Sequence, residues 1–256
     1  MIPIVLAFAL AWRFVPADAN TLVAMDWKRV LNSPLSAELR REIPPQAAPV
    51  LASINFIEGI DRVVWTPGLV VLEGSFDLDR LKDMATSDGG AVKPYKKAEL
   101  LAPAEDDAPF VGLVSPTLVL LGSPDLVRAA IDRAEKSKAP EPAPYDLWIR
   151  TVGSTFDNHE FGVRLDTGVA ISSKIRFRDE ANATAIVDGS EALGLTASRQ
   201  GKEATLSGHF SNEDFRRRQW RPAIESPEVE KPTSHPGVIR IYGLDDGVKE
   251  LPTTKK

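Results

Sequence analysis

Leu72-Glu73-Gly74-Ser75-Phe76-Asp77-Leu78-Asp79-Arg80-Leu81 and Leu206-Ser207-Gly208-His209-Phe210-Ser211-Asn212-Glu213-Asp214-Phe215 share one figure: Leu-x-Gly-x-Phe, then an acidic residue, then an apolar one. The shared positions (Leu72/Leu206, Gly74/Gly208, Phe76/Phe210, Asp79/Glu213, Leu81/Phe215) are those a strand running into a helix needs for packing, and none of them is chemistry. The recurrence predicts a molecule built from two related halves.

Working outward from Leu72, Arg62–Thr66 and Leu69–Phe76 form a hairpin around Pro67-Gly68, because proline presets φ and glycine accepts a positive one. Asp77 caps the next helix, which carries Leu78, Leu81, Met84 and Ala85 on one side and stops at Asp88-Gly89-Gly90. A meander follows through Tyr95–Leu101, Phe110–Val114 and Leu118–Leu121. Residues 118–134, LVLLGSPDLVRAAIDRA, repeat the strand-to-helix plan with Ser123-Pro124 as the start signal. Upstream, Thr21–Met25 is a strand, Asp26 opens a helix, and Ser33-Pro34 restarts it with Leu35, Leu39 and Ile43 on one face before Pro44-Pro45.

Around Leu206 the pattern is similar. Asp146–Val152 and Phe161–Phe177 read as strands with a turn at Asp166-Thr167-Gly168, Asp179 opens a helix interrupted by Gly189, and Thr205–Phe210 and Asn212–Trp220 are strand and helix. Between the halves, Pro140, Pro142 and Pro144 remove backbone donors and favour extended geometry. The expected layout is an apolar segment at 1–15, a first domain at 16–138, a proline-rich linker at 139–145, a second domain at 146–221, and an extended tail at 222–256. In that tail Val238–Tyr242 is a strand expected to pair with an exposed sheet edge, either of its own chain or of a partner, and Leu244–Gly247 a turn. The predicted fold class is α+β: two related units, each a mainly antiparallel sheet with helices on one face.

Size and composition agree with two cores, since 256 residues with 43% apolar content exceed one ordinary domain. The formal charge is −5 and the 31 basic residues are spread along the chain, so no footprint for a polyanion stands out. Absence of cysteine excludes disulfides, thiolate metal sites and cysteine nucleophiles. The uncharged run Ile2–Trp12 is too short to span a bilayer as a helix. Its length suits an export signal, with small-x-small sites at Ala9-Leu10-Ala11 and Ala17-Asp18-Ala19, although a basic start is missing. The alternative is a buried element of the domain.

Chemistry-bearing patterns are sparse. No phosphate-binding glycine loop and no Gly-x-Ser-x-Gly elbow is present. His159, His209 and His235 are far apart, and none stands in a frame that places two metal ligands on one helix face. The carboxylates Glu105-Asp106-Asp107 and Asp245-Asp246 fall in predicted turns, where aspartate bonds locally. Arg216-Arg217-Arg218 with Trp220 and Arg221 is the one concentrated basic patch, and after Glu213-Asp214 it complements a helix dipole. Trp27, Trp65 and Trp148 read as core or rim aromatics. Asn182-Ala183-Thr184 matches a glycosylation acceptor inside a predicted helix. No catalytic, cofactor-binding or metal residue is assigned, and no cofactor is expected.

Residues Phe14-Val15-Pro16-Ala17-Asp18-Ala19-Asn20, Ser33-Pro34-Leu35 and the helix at 122–133 give the chain a resemblance, over 14–135, to uncharacterised bacterial exported or envelope-anchored proteins. These open with a Pro-Ala-Asp phrase and carry α+β repeats, and the resemblance implies no activity. The sequence therefore leads to an expected non-enzymatic, exported or membrane-tethered binding or scaffolding protein of the bacterial cell envelope. Its expected localisation is periplasmic, secreted or membrane-anchored, its partner another envelope protein, with possible membrane attachment through residues 2–12. Two rivals follow from the residues above: a hydrolase assembled from Asp157, His159 and His209, and single-stranded nucleic-acid binding through Arg216–Arg221.

Overall fold

The computed structural model describes residues 11–41, 43–44, 46–47, 59–104, 109–136, 145–217, 238–241 and 249–252. The chain forms two compact units, Met1–Gln219 and Trp220–Lys256. The first contains a twelve-stranded sheet: β1 Thr21–Asp26, β2 Ile60–Thr66, β3 Leu69–Gly74, β4 Ala91–Tyr95, β5 Ala98–Ala102, β6 Phe110–Ser115, β7 Leu118–Gly122, β8 Leu147–Thr151, β9 Phe156–Leu165, β10 Val169–Phe177, β11 Thr196–Gln200 and β12 Glu203–Phe210. Among the described residues its helices are α1 Trp27–Asn32, α2 Ser36–Arg41, α3 Leu78–Ser87, α4 Pro124–Ala134, α5 Glu180–Ser190 and α6 Asn212–Arg217, with 3-10 turns at Ala11–Phe14 and Glu191–Leu193.

The order across the sheet is β11-β12-β10-β9-β8-β1-β2-β3-β7-β6-β5-β4, and its ladders are antiparallel. At its middle β1 lies against β8, with Val23 opposite Ile149 and Ala24 opposite Trp148. The expected division at 139–145 is therefore corrected. The first strand beyond that stretch pairs directly with the first strand of the chain, so 16–138 and 146–217 share one sheet; residues 137–144 lie outside the described set.

Outward from the β1/β8 pair the order runs β1-β2-β3-β7-β6 on one side and β8-β9-β10-β12-β11 on the other. Five strand-to-helix junctions use the same device, a short polar side chain that accepts the third amide of the helix; at the first, Asp26 Oδ1 accepts from Arg29 at 2.9 Å. Asp77 Oδ1 accepts from Arg80 at 3.0 Å, Ser123 Oγ from Leu126 at 3.4 Å, Asp179 Oδ1 from Asn182 at 2.8 Å and Ser211 Oγ from Asp214 at 3.0 Å. Leu72–Leu81 is the β3-to-α3 junction, whereas Leu206–Phe215 is β12-to-α6, whose counterpart in the strand order is β7-to-α4. The paired figure thus marks a local solution used at non-corresponding places. Its glycines differ accordingly: a Cβ on Gly74 would lie 2.0 Å from the Gly59 carbonyl oxygen, while one on Gly208 would meet the side chains of Leu195 and Phe210.

The helices also depart from expectation. Helix α4 buries Val127, Ala130, Ile131 and Ala134, together with the Ala11–Phe14 turn, against Leu22, Ala24, Val64, Val71, Leu100 and Leu120. Helix α3 lies on the reverse face, where Lys82 pairs at 2.7 Å with Glu99, the neighbour of inward-pointing Ala98 and Leu100 on β5. In residues 16–138, then, helices cover both faces and not one. Strands β3 and β7 are apolar runs buried almost throughout, as strands covered on both faces are. In the other half α5 packs on β10, β11 and β12, over Ile171, Ile175, Ala204 and Leu206.

Two edge strands were not legible. β11, Thr-Ala-Ser-Arg-Gln, is mostly exposed and has no apolar alternation. β4 carries Pro94, a residue tolerated at a sheet edge because the missing N–H faces outward. At the N-terminus, the apolar segment expected at 1–15 is corrected for its last residues, since Ala11, Trp12, Phe14 and Val15 belong to the core; residues 1–10 are outside the described set. In the second unit, β13 Val238–Ile241 pairs antiparallel with β14 Lys249–Pro252. The strand expected at 238–242 therefore pairs with a strand of its own unit. Tyr242 and the turn at 244–247 lie outside the described residues.

Candidate functional site

The sheet is open on one face of strands β9, β10 and β12. Side chains alternate along a strand, so the residues on the face away from α5 point to water: Asn158, Glu160 and Arg164 on β9, Ser172, Lys174 and Arg176 on β10, and Glu203, Thr205, Ser207 and His209 on β12. Glu160 stands opposite Lys174, and Arg176 lies between Asn158 and Glu203. Lys174 Nζ reaches Glu203 Oε1 at 3.1 Å, and Asn158 Nδ2 donates to Glu160 Oε1 at 3.0 Å. These five residues, Asn158, Glu160, Lys174, Arg176 and Glu203, line a shallow cavity of about 270 Å³.

Toward the centre of the sheet the same face carries a ring platform. Gly162 has no side chain, and the Tyr145 ring lies over it, 2.6 Å from where a Cβ would sit. The Arg164 guanidinium lies over that ring, 6.0 Å from its centroid. Trp148 is next to it, edge-on to Trp12 at 5.7 Å. The face thus presents cations and anions in alternation with one half-buried aromatic corner. Exposed cross-strand pairs of this kind contribute a few tenths of a kcal/mol to about 1 kcal/mol each, so they specify a surface more than they stabilise the fold.

The three residues of the hydrolase reading do not meet. His159 stands opposite Ile175 and points to the core side of the sheet, where Nε2 lies 3.0 Å from Ser173 Oγ and the ring is edge-on to Phe156 at 5.7 Å. Burial lowers its imidazole to about 4 from an ordinary 6.5. His209, opposite Ala170, is on the solvent side, and Asp157 is exposed and paired with Arg178 at 3.5 Å. Acid, base and histidine are therefore on two surfaces of one sheet, out of the hydrogen-bond reach that proton transfer requires.

The basic patch is similarly committed. Arg216 donates to the Pro34 carbonyl at 2.7 Å and lies 3.9 Å from Glu38, and Arg217 pairs with Glu213 one turn earlier. Arg218, Trp220 and Arg221 are outside the described residues, as are Glu105–Asp107, Asp245-Asp246 and His235. Asn182 sits in the first turn of α5 and donates to Asp179 at 2.7 Å. Among the described residues, no three His, Asp or Glu side chains are grouped to hold a metal ion, and no helix is long and apolar enough to cross a membrane.

Two buried carboxylates escaped sequence reasoning. Glu73 sits on the α4 side of β3, accepts from the Ala11 amide at 2.8 Å and lies 3.7 Å from Arg62; burial holds its carboxyl above the ordinary range. Asp146, at the start of β8, accepts from the Leu165 amide at 2.6 Å and pairs with Arg29 at 2.8 Å, and burial likewise raises it. Both join distant segments, so no local signal announces them.

No protein-family model and no curated protein matches this chain. Among solved structures, crystal form I of TP0453 matches with a TM-score of 0.51 at 10% identity, over 80% of this chain and 94% of that one. Crystal form IV of TP0453 gives 0.47 at 11% identity, over 79% and 93%. The first likeness is one of fold alone.

Proposed function

We propose that this chain is a non-enzymatic binding or scaffolding protein of the bacterial cell envelope, and that it presents the open face of β9, β10 and β12 to a protein partner. One observation carries the reading: among the described residues this face is polar and largely exposed, while the reverse of β10 and β12 packs under α5. Its residues are those of a contact surface, with Lys174, Arg176 and Arg164 interleaved with Glu160 and Glu203. Mixed sign fits a polypeptide surface of complementary charge better than nucleic acid or anionic lipid, which favour a single-signed patch. The envelope location rests on the apolar run at Ile2–Trp12.

The same reading takes the large unit as a duplication whose two copies share one sheet. It is supported by the mirrored strand order about β1/β8, and by the matched caps Asp77 with Asp179 and Ser123 with Ser211.

The chain has no cysteine, so one introduced cysteine is a unique handle. Ser207→Cys places it on the open face. Labelling by a membrane-impermeant maleimide in cells with a permeabilised outer membrane and intact inner membrane is expected. Labelling that requires inner-membrane lysis overturns the envelope location. A bifunctional cross-linker at the same cysteine is expected to give a discrete adduct that is lost when Lys174→Glu and Arg176→Glu are added; recovery of the monomer alone overturns the binding reading.

A further inference from the structure

The large sheet ends at β4 on one side and at β11 on the other. Each edge strand is the outer arm of a two-residue hairpin, closed by Tyr95 opposite Ala98 in one case and by Gln200 opposite Glu203 in the other. The closing pair of such a hairpin exchanges both of its hydrogen bonds, and bonded and unbonded pairs then alternate along the ladder. Tyr95, Lys93 and Ala91 therefore bond inward, while Val92 and Pro94 turn their backbone outward. Likewise Gln200, Ser198 and Thr196 bond to β12, while Ala197 and Arg199 turn theirs outward.

The outward row of β4 is defended. Pro94 has no N–H to offer, and Lys93, Lys96 and Lys97 supply the charged side chains that keep an edge from pairing. Nothing of the kind guards β11 among the described residues. The strand has no proline, its register with β12 is unbroken, its residues are exposed apart from half-buried Ala197, and both outward residues offer an N–H and a carbonyl. Its one charge, Arg199, is drawn to its own helix, 3.4 Å from Glu180.

An identical strand fits this edge in one register. An antiparallel copy that uses both outward residues pairs Ala197 with Arg199 of the second copy and sets Ser198 opposite Ser198 on a two-fold axis. The neighbouring registers fail. Centring on Ala197 calls on the Leu195 amide, which already donates to the Ser190 carbonyl at 3.1 Å. Centring on Arg199 sets two arginines face to face, and like charges directly opposite destabilise a ladder. In the surviving register Thr196 meets Gln200, and the Lys202 end of one strand lies beside the Gly194 end of the other. Lys202 donates to the Arg178 carbonyl at 2.8 Å and has no carboxylate partner among the described residues. Asp188 and Glu191, on the approach to Gly194, are exposed and have no cation partner among them. The edge is thus complementary in charge to its own reverse.

We propose that β11 is a homodimer edge, at which two copies join antiparallel about Ser198 through the outward backbone groups of Ala197 and Arg199. Thr196, Ser198 and Gln200 share the face of Ser207, Thr205 and Glu203, so the joint extends the open polar face across both copies. The proposal goes beyond the binding reading and does not depend on the envelope location. A five-residue edge is small against the roughly 1,200–2,000 Å² of a stable interface, so the dimer is weak and forms with rising concentration.

Ser198→Cys in the purified full-length chain, which has no other cysteine, puts a lone thiol on the axis. Facing residues of an unbonded antiparallel pair have Cα atoms about 4.5 Å apart, within disulfide reach, whereas Thr196 and its copy would be about 13 Å apart. Ser198→Cys is expected to oxidise to a disulfide dimer. Thr196→Cys and Gln200→Cys are each expected to stay monomeric alone and to cross-link when mixed. Sedimentation equilibrium is expected to show a dimer that Thr196→Lys with Gln200→Lys weakens roughly tenfold, through like charges set opposite each other, and that Thr196→Glu with Gln200→Lys restores. Ala197→Pro removes an outward donor that β12 does not use, and is expected to abolish the dimer while melting near wild type; if it does not fold, the charge variants decide. Wild type that stays monomeric up to about 1 mM, or a Thr196→Cys disulfide as ready as that of Ser198→Cys, overturns the proposal. A Ser198→Cys chain that is monomeric when pure but captured by another protein in cells assigns the edge to a foreign strand and overturns it too. Lys174→Glu with Arg176→Glu is expected to leave the dimer intact, so loss of the partner adduct and loss of the dimer are separate results.

Discussion

His159 gives the most quantitative consequence of the fold. Its imidazole faces the core side of β9, beside Phe156 and within reach of Ser173, and is lowered by burial to about 4 from 6.5. The unfolded chain takes up a proton as pH falls through 6.5, while the folded chain resists until about 4. The stability linked to this group is therefore fully present above 6.5 and is lost as pH falls toward 4. Each unit of separation is worth about 1.4 kcal/mol, so the whole gap amounts to roughly 3 kcal/mol. Carboxylates titrate over the same range, so the comparison must be differential. His159→Phe keeps a ring beside Phe156 and cannot be protonated. Leaving the Ser173 hydroxyl without its partner shifts the variant by an offset that does not vary with pH. Urea unfolding at a series of pH values from neutral to about 4 is expected to show wild type losing roughly 3 kcal/mol more than the variant. Parallel profiles, or an imidazole NMR titration of His159 near 6.5, would refute the reasoning.

Trp12→Ala is expected to cost about 3–5 kcal/mol, the usual loss for a buried large aromatic, and Trp12→Phe far less, because the buried Nε1–H has no acceptor among the described residues and removing it returns about 1–3 kcal/mol; thermal melting separates the two. Glu73→Gln keeps an oxygen for the Ala11 amide and removes the charge. Since burial raises the Glu73 carboxyl in the fold, its linked stability is present at acid pH and lost as pH rises through the folded value, so the variant should gain on wild type as pH is raised above the ordinary carboxylate range in denaturant titrations. Gly74→Ala forces a Cβ to 2.0 Å from the Gly59 carbonyl and should lower stability by about 3 kcal/mol or more. Gly189→Ala, with nothing within 4 Å of its Cβ in α5, should raise it by about 0.5–1 kcal/mol. Circular dichroism melts of this pair form an internal control.

What the sequence determined is local. Asp26, Asp77, Ser123 and Asp179 cap helices where their short polar side chains predict, because such a cap needs only an oxygen and an amide three residues apart. Pro67-Gly68 turns a hairpin because Gly68 takes φ +77, and Leu69–Leu72 and Leu118–Leu121 are strands buried on both sides, as their unbroken apolar character requires. Antiparallel strands with helices followed from these pieces. The tertiary structure decided how they meet. Pairing of β1 with β8 depends on the fit of two strands about 120 residues apart, which no neighbouring residue encodes, and the prolines between them read equally well as a domain linker. The faces given to His159 and His209, and the capture of the Ala11 amide by Glu73, follow from that strand order. A side chain's direction in a strand is legible only as parity, and which parity meets the core is settled when the sheet closes on its helices.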